Sequence, residues 1–468
     1  MYKERIDAYF ADKEQLLIDA VSRLVSIDSV EGEPAPGAPF GPGPAAALEE
    51  ALKLTEEWGL TATNYEGYVG TADLCGKEDA LHILGHLDVV APGDGWTVTE
   101  PYQPKLVDGL LYGRGTDDDK GPVVASLLAM KAVKDLGIPL KANCRCIMGT
   151  NEESGSGDIA WYFERYPFAP ATFSPDSGFP VINTEKGSMR PVFSASWPVQ
   201  AELPRVAWLH GGIRFNVLPG DASAAVEGIS AADMVSYARD ITARTGITFT
   251  YAIEDGLTVV HAKGTGSHAA WPEGGNNAIT GLVALLCTLP LADGPCKDYL
   301  NALNELMPHG DYYGKALGIA QEEPIAGKLT LAFSLLEVTE TGLEGRFDSR
   351  VPLCATEENC LNVAKAAFEA KGFAFSGEQE PPHHTPADSS FVQTLLKRYE
   401  QYTGLKGECL STGGGTYVHD IPGGVAFGCT LPGFDTRLHG ADERVRVADL
   451  MVSAKMFAHI IIDLCAAD

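Results

Sequence analysis

Three consecutive aspartates, Asp117, Asp118 and Asp119, stand in the stretch GRGTDDDKGP, between a glycine-rich turn and an apolar helical run. Orphan amides and the helix dipole favour carboxylates at a helix N-terminus, so all three could simply cap and solvate. The other chemistry open to them is metal ligation. Four further places supply side chains of the same class. His86 and Asp88 lie two apart in ILGHLDVV. On a strand such residues face the same way, so the imidazole and the carboxylate can meet, as a metal-bound histidine and its supporting carboxylate do. A buried histidine with an ordinary hydrogen-bond partner gives the same pattern. Glu152 and Glu153 are adjacent in GTNEESGSG. Repulsion between neighbouring carboxylates raises the pKa of one and suits it to general-base work, whereas a solvated acidic turn is the plainer reading. Asp176 in FSPDSGFP reads alone as a turn aspartate, and His439 in DTRLHGADERV, with Glu443 four residues on, as a surface histidine. Together these places offer two histidines and several carboxylates from separate loops. That donor set suits a pair of divalent ions sharing a bridging carboxylate and a bridging water.

The elements that must position these residues can be read from pattern. A chain of 468 residues is too long for one compact core, and its 45% hydrophobic content is enough for two. Residues 4–26 read as one amphipathic helix, followed by the Gly/Pro-rich loop EGEPAPGAPFGPGPAAA, a flap or the edge of a lid, and a helix ending at Gly59. LHILGHLDVV then reads as a strand, GPVVASLLAMKAVKDLG as a helix, KANCRCIMGT as a strand and DIAWYFERY as a helix. This alternation predicts an α/β domain with a mostly parallel sheet, whose ligands gather at the carboxyl ends of the strands. From about residue 188 to 384 strand-like runs dominate, with two helical runs at AADMVSYARDITARTG and NAITGLVALLCTLP, so an inserted α+β domain is expected there. Helical and strand signals resume from 385 to 468.

Composition excludes some partners. The formal charge of −28, from 63 acidic and 35 basic residues with no Lys/Arg cluster, argues against nucleic acid. The N-terminus has no signal-peptide core and no window has the ~18 uninterrupted apolar residues of a membrane span, so no membrane partner is expected. Ten scattered cysteines without a CxxC pair predict reduced thiols and a cytoplasmic location.

The motifs HLDVV with GDGW, YGRGTxDDKGP, GTxEESG, SPD, GGGTY and H-x-x-x-E follow one another in this order. Their wording resembles the dinuclear metallopeptidase family of aminoacylases, succinyl-diaminopimelate desuccinylase and carnosinases. The likeness is greatest to its bacterial dipeptidase branch, the Xaa-His or beta-Ala-Xaa dipeptidases. It covers nearly the whole chain, densely over 80–187 and from 385 onward. The resemblance implies a catalytic domain of residues 1–187 and 385–468 and a lid of 188–384. It implies two divalent ions, zinc first, with manganese or cobalt as alternatives. Asp118 would bridge them, His86 and Asp176 would complete one site, and Glu153 and His439 the other. Asp88 would orient His86, and Glu152 would be the general base. Asp117 stands where relatives carry a small neutral residue, an extra carboxylate that bears on metal affinity, while Asp119 would face away or cap the helix. In the lid, Asn216 and His268 would meet the oxyanion, and Arg350, with the backbone at Gly414, would hold a terminal carboxylate. The activity implied is hydrolysis of short peptides with free termini. An N-acyl amino acid or succinyl-diamine deacylase is the nearer alternative, and a non-catalytic peptide-binding member the more distant one. A lid of this size is compatible with a monomer as well as a dimer.

Overall fold

The structure, a computed structural model, describes residues 2–467. The chain packs as two compact units. The first holds the chain up to Thr184, His384–Ser411 and the described residues from Gly415 onward; the second holds Glu185–His383 with Thr412–Gly414. That last tripeptide joins the second unit through backbone and side chain alike: Lys186 N donates to Thr412 O at 2.9 Å, and Arg350 Nη1 to Gly413 O at 2.8 Å.

The first unit is built on a mixed sheet with a parallel centre. The strands Asn143–Gly149, Asp79–His86, Thr172–Ser174 and Val425–Ala426 lie side by side in that order, and each adjacent pair is parallel. Antiparallel strands flank them, Val69–Asp73 and Thr61–Tyr65 on one side and Val181–Glu185 on the other. The central strands read LHILGH and CRCIMG because both of their faces are covered, as buried parallel strands require. Helices Lys120–Asp135 and Val447–Cys465 pack on this sheet and are apolar almost all round, the mark of a helix buried against two neighbours. Phe457 is fully buried, with ring centroids 4.9 Å from Phe173 and 6.0 Å from Phe427.

The second unit is an antiparallel sheet with helices. Its strands run in the order Thr248–Glu254, Leu257–Lys263, Asp221–Glu227, Arg205–Gly211, Thr330–Thr339, Gly342–Val351, Val192–Ser196 and Ala374–Ser376. Its apolar core is separate from that of the first unit, as two independent clusters of buried side chains show.

Three sequence expectations need correction. The N-terminal helix is two helices, Tyr2–Phe10 and Glu14–Val25, broken where Ala11 N and Lys13 N turn back to Ala8 O and Phe10 O. The middle region holds further helices at Pro295–Leu306 and Asn362–Ala370, beyond the two that periodicity suggested. Its sheet also takes in Arg205–Gly211 and Asp221–Glu227, which lie outside the strand-like runs RPVFSASW, GITFTYAIED, LTVVHAKG, KLTLAFSLLEV and LEGRFDSRV; DASAAVE has too little bulk to announce a strand. All ten cysteines are free, and among the described residues no helix is long and apolar enough to cross a membrane.

Phe457→Ala should lower the stability of the first unit by about 3–5 kcal/mol, the usual result of emptying an aromatic core position. Urea unfolding followed by circular dichroism would show it as a lower midpoint. A loss below ~1 kcal/mol would contradict the packing described.

Candidate metal centre

Strand register brings the site together. His86 ends its strand directly opposite Gly149, which ends the neighbouring parallel strand. The backbone that leaves the sheet after each therefore emerges at the same level, one carrying Asp88 and the other Glu152 and Glu153. The next parallel strand, Thr172–Ser174, ends two residues before Asp176, whose amide donates to Ser174 Oγ at 3.2 Å. Three neighbouring strands thus deliver their acidic and imidazole side chains at their carboxyl ends, where ligands of such sheets collect.

The three aspartates separate into three tasks. Asp118 stands between two imidazoles: His86 Nε2 lies 2.9 Å from its Oδ1, and His439 Nε2 lies 2.9 Å from its Oδ2. Asp176 Oδ2 is 3.7 Å from His86 Nε2, and Glu153 Oε2 is 3.3 Å from His439 Nε2. His86, Asp118 and Asp176 therefore form one potential ligand group and Asp118, Glu153 and His439 a second, each with its donor atoms within 4.8 Å of one another. Asp117 belongs to neither. Its Oδ1 accepts from the Thr430 hydroxyl at 2.7 Å, and burial pushes its carboxyl up to about 7 even though Thr430 pulls the other way. Asp119 begins the helix without capping it through its side chain; its Oδ2 instead accepts the amide of His86 at 3.1 Å. Gly85 makes that approach possible, since a Cβ there would meet Asp119 Oδ2 at 2.4 Å.

Asp88 has a wider part than orienting one ring. His86 Nδ1 is 3.0 Å from the backbone carbonyl of Asp88 and 3.5 Å from its Oδ1. The carboxylate itself accepts the amides of Glu152 at 3.1 Å and Glu153 at 3.0 Å, so it aims the adjacent glutamates as well. Asp158 supports the same loop by accepting the amides of Thr150 and Asn151 and the Tyr417 hydroxyl. The backbone is unusual nearby: His439 has a φ of 59°, in the left-handed region, as does Asp442 at 57°. Residues held there cost about 1–3 kcal/mol each and persist where their surroundings impose them.

The donor chemistry fits a metal ion. A carbonyl only accepts, so the contact with Asp88 O puts a proton on His86 Nδ1. His86 Nε2 is then the nitrogen turned into the site; it is fully buried and makes no well-directed hydrogen bond despite the nearby Asp118 oxygen. In a neutral ring that nitrogen is the one able to ligate a cation. The carboxylates say the same. Asp176 is pushed up to about 8 by burial and then by the charge of Asp118, and Glu152 is held well above its ordinary range by burial, against the pull of His86. His439, although burial opposes it, is raised to about 11 by Asp118 and Glu153. The cluster carries more negative charge than its imidazoles balance, which divalent cations would relieve.

Within the second unit, strand pairing sets His268 opposite Val217, and Ala269 N donates to Asn216 O at 2.9 Å, so Asn216 and His268 are brought together. His268 Nδ1 accepts the amide of Ala270 at 3.1 Å, which leaves the ring's proton on Nε2. Arg350 is 6% exposed; Asp348 takes its Nε at 2.7 Å and Nη2 at 3.1 Å, and Gly413 O takes Nη1. Gly414 follows directly, its amide donating to Thr412 Oγ1. Two buried supporting residues carried little signal in the sequence: Asp158, and Arg114, whose Nη1 donates to Glu443 Oε2 at 2.6 Å. Asp158 carried no signal beyond an acid near a helix start, whereas Arg114 lay inside a motif whose aspartates drew the attention.

Residues 82–463 match the sequence profile described as Peptidase family M20/M25/M40. The chain belongs to this peptidase family. Among its relatives, the Bacillus subtilis protein YtjP, named as a candidate dipeptidase, is 35% identical over 97% of this chain and 98% of its own. The Beta-Ala-Xaa dipeptidase of Lactobacillus delbrueckii subsp. lactis is 29% identical over 99% and 98%. Among solved structures, human carnosine dipeptidase 1 shares the fold with a TM-score of 0.59 at 15% identity, covering 99% of each chain. Aminoacylhistidine dipeptidase from Vibrio alginolyticus does so with 0.58 at 13% identity over 97% of each. The resemblance read from the motifs is thus to the right family, and the α/β fold expected of it is the fold of these neighbours.

For this M20-family chain, Gly149→Ala tests the packing behind the glutamate loop. An added Cβ would meet Tyr417 Oη at 2.0 Å and Asp158 Oδ2 at 2.4 Å, and both groups are buried. The variant should lose about 1–3 kcal/mol of stability in urea titrations. An unchanged midpoint would show that the pair moves freely, contrary to the contacts described.

Proposed function

We propose that this chain is a metal-dependent dipeptidase that hydrolyses short peptides with free termini, holding two divalent ions on Asp118. The observation that carries the reading is the placement of one carboxylate between His86 and His439, with Asp176 beside the first and Glu153 beside the second. Its peptidase family and the dipeptidases among its relatives support it. Zinc suits the mixed imidazole and carboxylate donors, and manganese or cobalt would also be accepted. Bound there, the ions supply Lewis acidity, which activates water and polarises a carbonyl.

The chain's own residues are assigned as follows. His86, Asp118 and Asp176 would hold one ion, and Asp118, Glu153 and His439 the other. Asp88 fixes the His86 ring and the two glutamate amides. Glu152 takes a proton from the attacking water and returns it to the leaving amine. Burial raises its pKa, against the pull of His86, which is the direction a general base needs. The catalytic domain corresponds to 1–187 with 385–468, and the lid to 188–384. From the lid, His268 donates its Nε2 proton to the developing oxyanion, with Asn216 beside it. Arg350 takes the substrate's terminal carboxylate, together with the backbone at Gly414. Asp348 already holds one edge of the Arg350 guanidinium, so the planar group is fixed before substrate arrives and little entropy is lost on binding.

Chelator-treated protein should be inactive on dipeptides and recover with zinc, manganese or cobalt. Glu152→Gln should keep its metal, measured by elemental analysis, and lose about 10²–10⁴-fold in kcat. Cleavage of N-acylated amino acids in preference to free dipeptides would move the activity to the deacylase branch. Bound metal with no hydrolysis of either would favour a peptide-binding member.

Arg350→Met should raise KM for free dipeptides by ~10-fold or more, the order expected for truncating a desolvated charge partner, and leave peptide amides nearly unaffected. Equal effects on both substrates would remove the carboxylate assignment.

A further inference from the structure

Glu443 lies four residues beyond His439 and belongs to neither ligand group. Its side chain is fully buried and wrapped by the turn that presents Asp118. Oε1 accepts the amides of Gly115 at 3.0 Å, Asp117 at 3.0 Å and, at longer range, Asp118 at 3.3 Å. Oε2 accepts Arg114 Nη1 at 2.6 Å and the Gly115 amide at 3.1 Å. Arg114, 1% exposed, extends Nη2 to Gly440 O at 3.2 Å, one residue after His439. The backbone repeats the link: Gly113 N donates to Glu443 O at 3.0 Å, and Arg444–Arg446 pairs with Leu110–Tyr112. Backbone amides of one turn converging on an anion form a nest-like site, and a buried charge is tolerated only with such partners. Here the anion is supplied by the segment that carries His439, and the nest by the segment that carries Asp118. One side chain sets the two ligand-bearing loops against each other.

We propose that Glu443 is a positioning residue of the metal centre: by holding the 114–118 turn it aims Asp118 at both His86 and His439, and so governs the affinity of both ions. This rests on the reading of Asp118 as the shared ligand. Support of a ligand from outside the coordination sphere commonly changes metal affinity about 10–100-fold, so that is the size of the effect expected here.

Metal-free protein is titrated with Zn²⁺ against a fluorescent chelator, and the visible spectrum of the Co²⁺-loaded form is recorded. Glu443→Gln keeps the volume but turns an amide N–H₂ toward the Arg114 guanidinium or the backbone donors. Glu443→Asp keeps the charge but withdraws it by one methylene, out of joint reach of Arg114 and the amides. Urea unfolding of the metal-free variants identifies those that fold. In a folded variant both ions should bind ~10–100-fold more weakly with an altered Co²⁺ spectrum, whereas His439→Ala should weaken chiefly the ion on its own side. Affinity within about threefold of the parent and an unchanged spectrum, in any variant that folds, would overturn the proposal. A parent protein that binds no divalent ion would instead overturn the shared-ligand reading itself.

Discussion

The first unit is organised around one electrostatic constraint. A carboxylate, Asp118, is held between the buried imidazole of His86 and the more exposed one of His439, with the half-buried Glu152, Glu153 and Asp176 beside them. Carboxylates crowded in a poor dielectric resist ionising together, and Asp176 and Glu152 are both displaced upward for that reason. The two histidines hold Asp118 far below the usual carboxylate range, although burial alone would raise it. Such an arrangement is costly as a piece of scaffold. It makes sense as a container for positive charge, and the buried, poorly bonded His86 Nε2 shows where that charge belongs.

The architecture around the pocket meets that constraint with backbone more than with side-chain charge. The strands ending at His86 and Gly149 stop at one level, and Thr172–Ser174 ends two residues before Asp176, so His86, the glutamates and Asp176 need no long loops to converge. The amides of Glu152 and Glu153 go to Asp88, those of Thr150 and Asn151 to Asp158, and that of His86 to Asp119. Asp88, Asp158 and Asp119, which belong to neither ligand group, thereby fix the backbone that carries the glutamates and His86. Their amide donors are why these extra acids can be buried at all.

The catalytic half was legible because its information is local. Strands such as LHILGHLDVV declare themselves by composition, and their carboxyl ends are where the motifs fall. Asp118 could not be told from its neighbours by local physics, since all three aspartates suit a helix start. The distinction comes from partners hundreds of residues away, Thr430 for Asp117 and His439 for Asp118. Asp119, expected to face away or cap the helix, does not cap it with its side chain but accepts the His86 amide, an approach that depends on Gly85 having no side chain. The middle region was harder for a different reason. Its sheet includes DASAAVE, whose small side chains carry no strand signal, and packing against helix Ala278–Leu286 decides its state.

The claim on which most depends is that one carboxylate serves two ions. Elemental analysis of Asp118→Asn beside the parent, with dipeptide hydrolysis measured on the same samples, tests it most directly. Two divalent ions are expected per parent chain, and the variant should lose both ions together with activity. A variant that keeps one ion at parental affinity, or keeps hydrolysis, would contradict it.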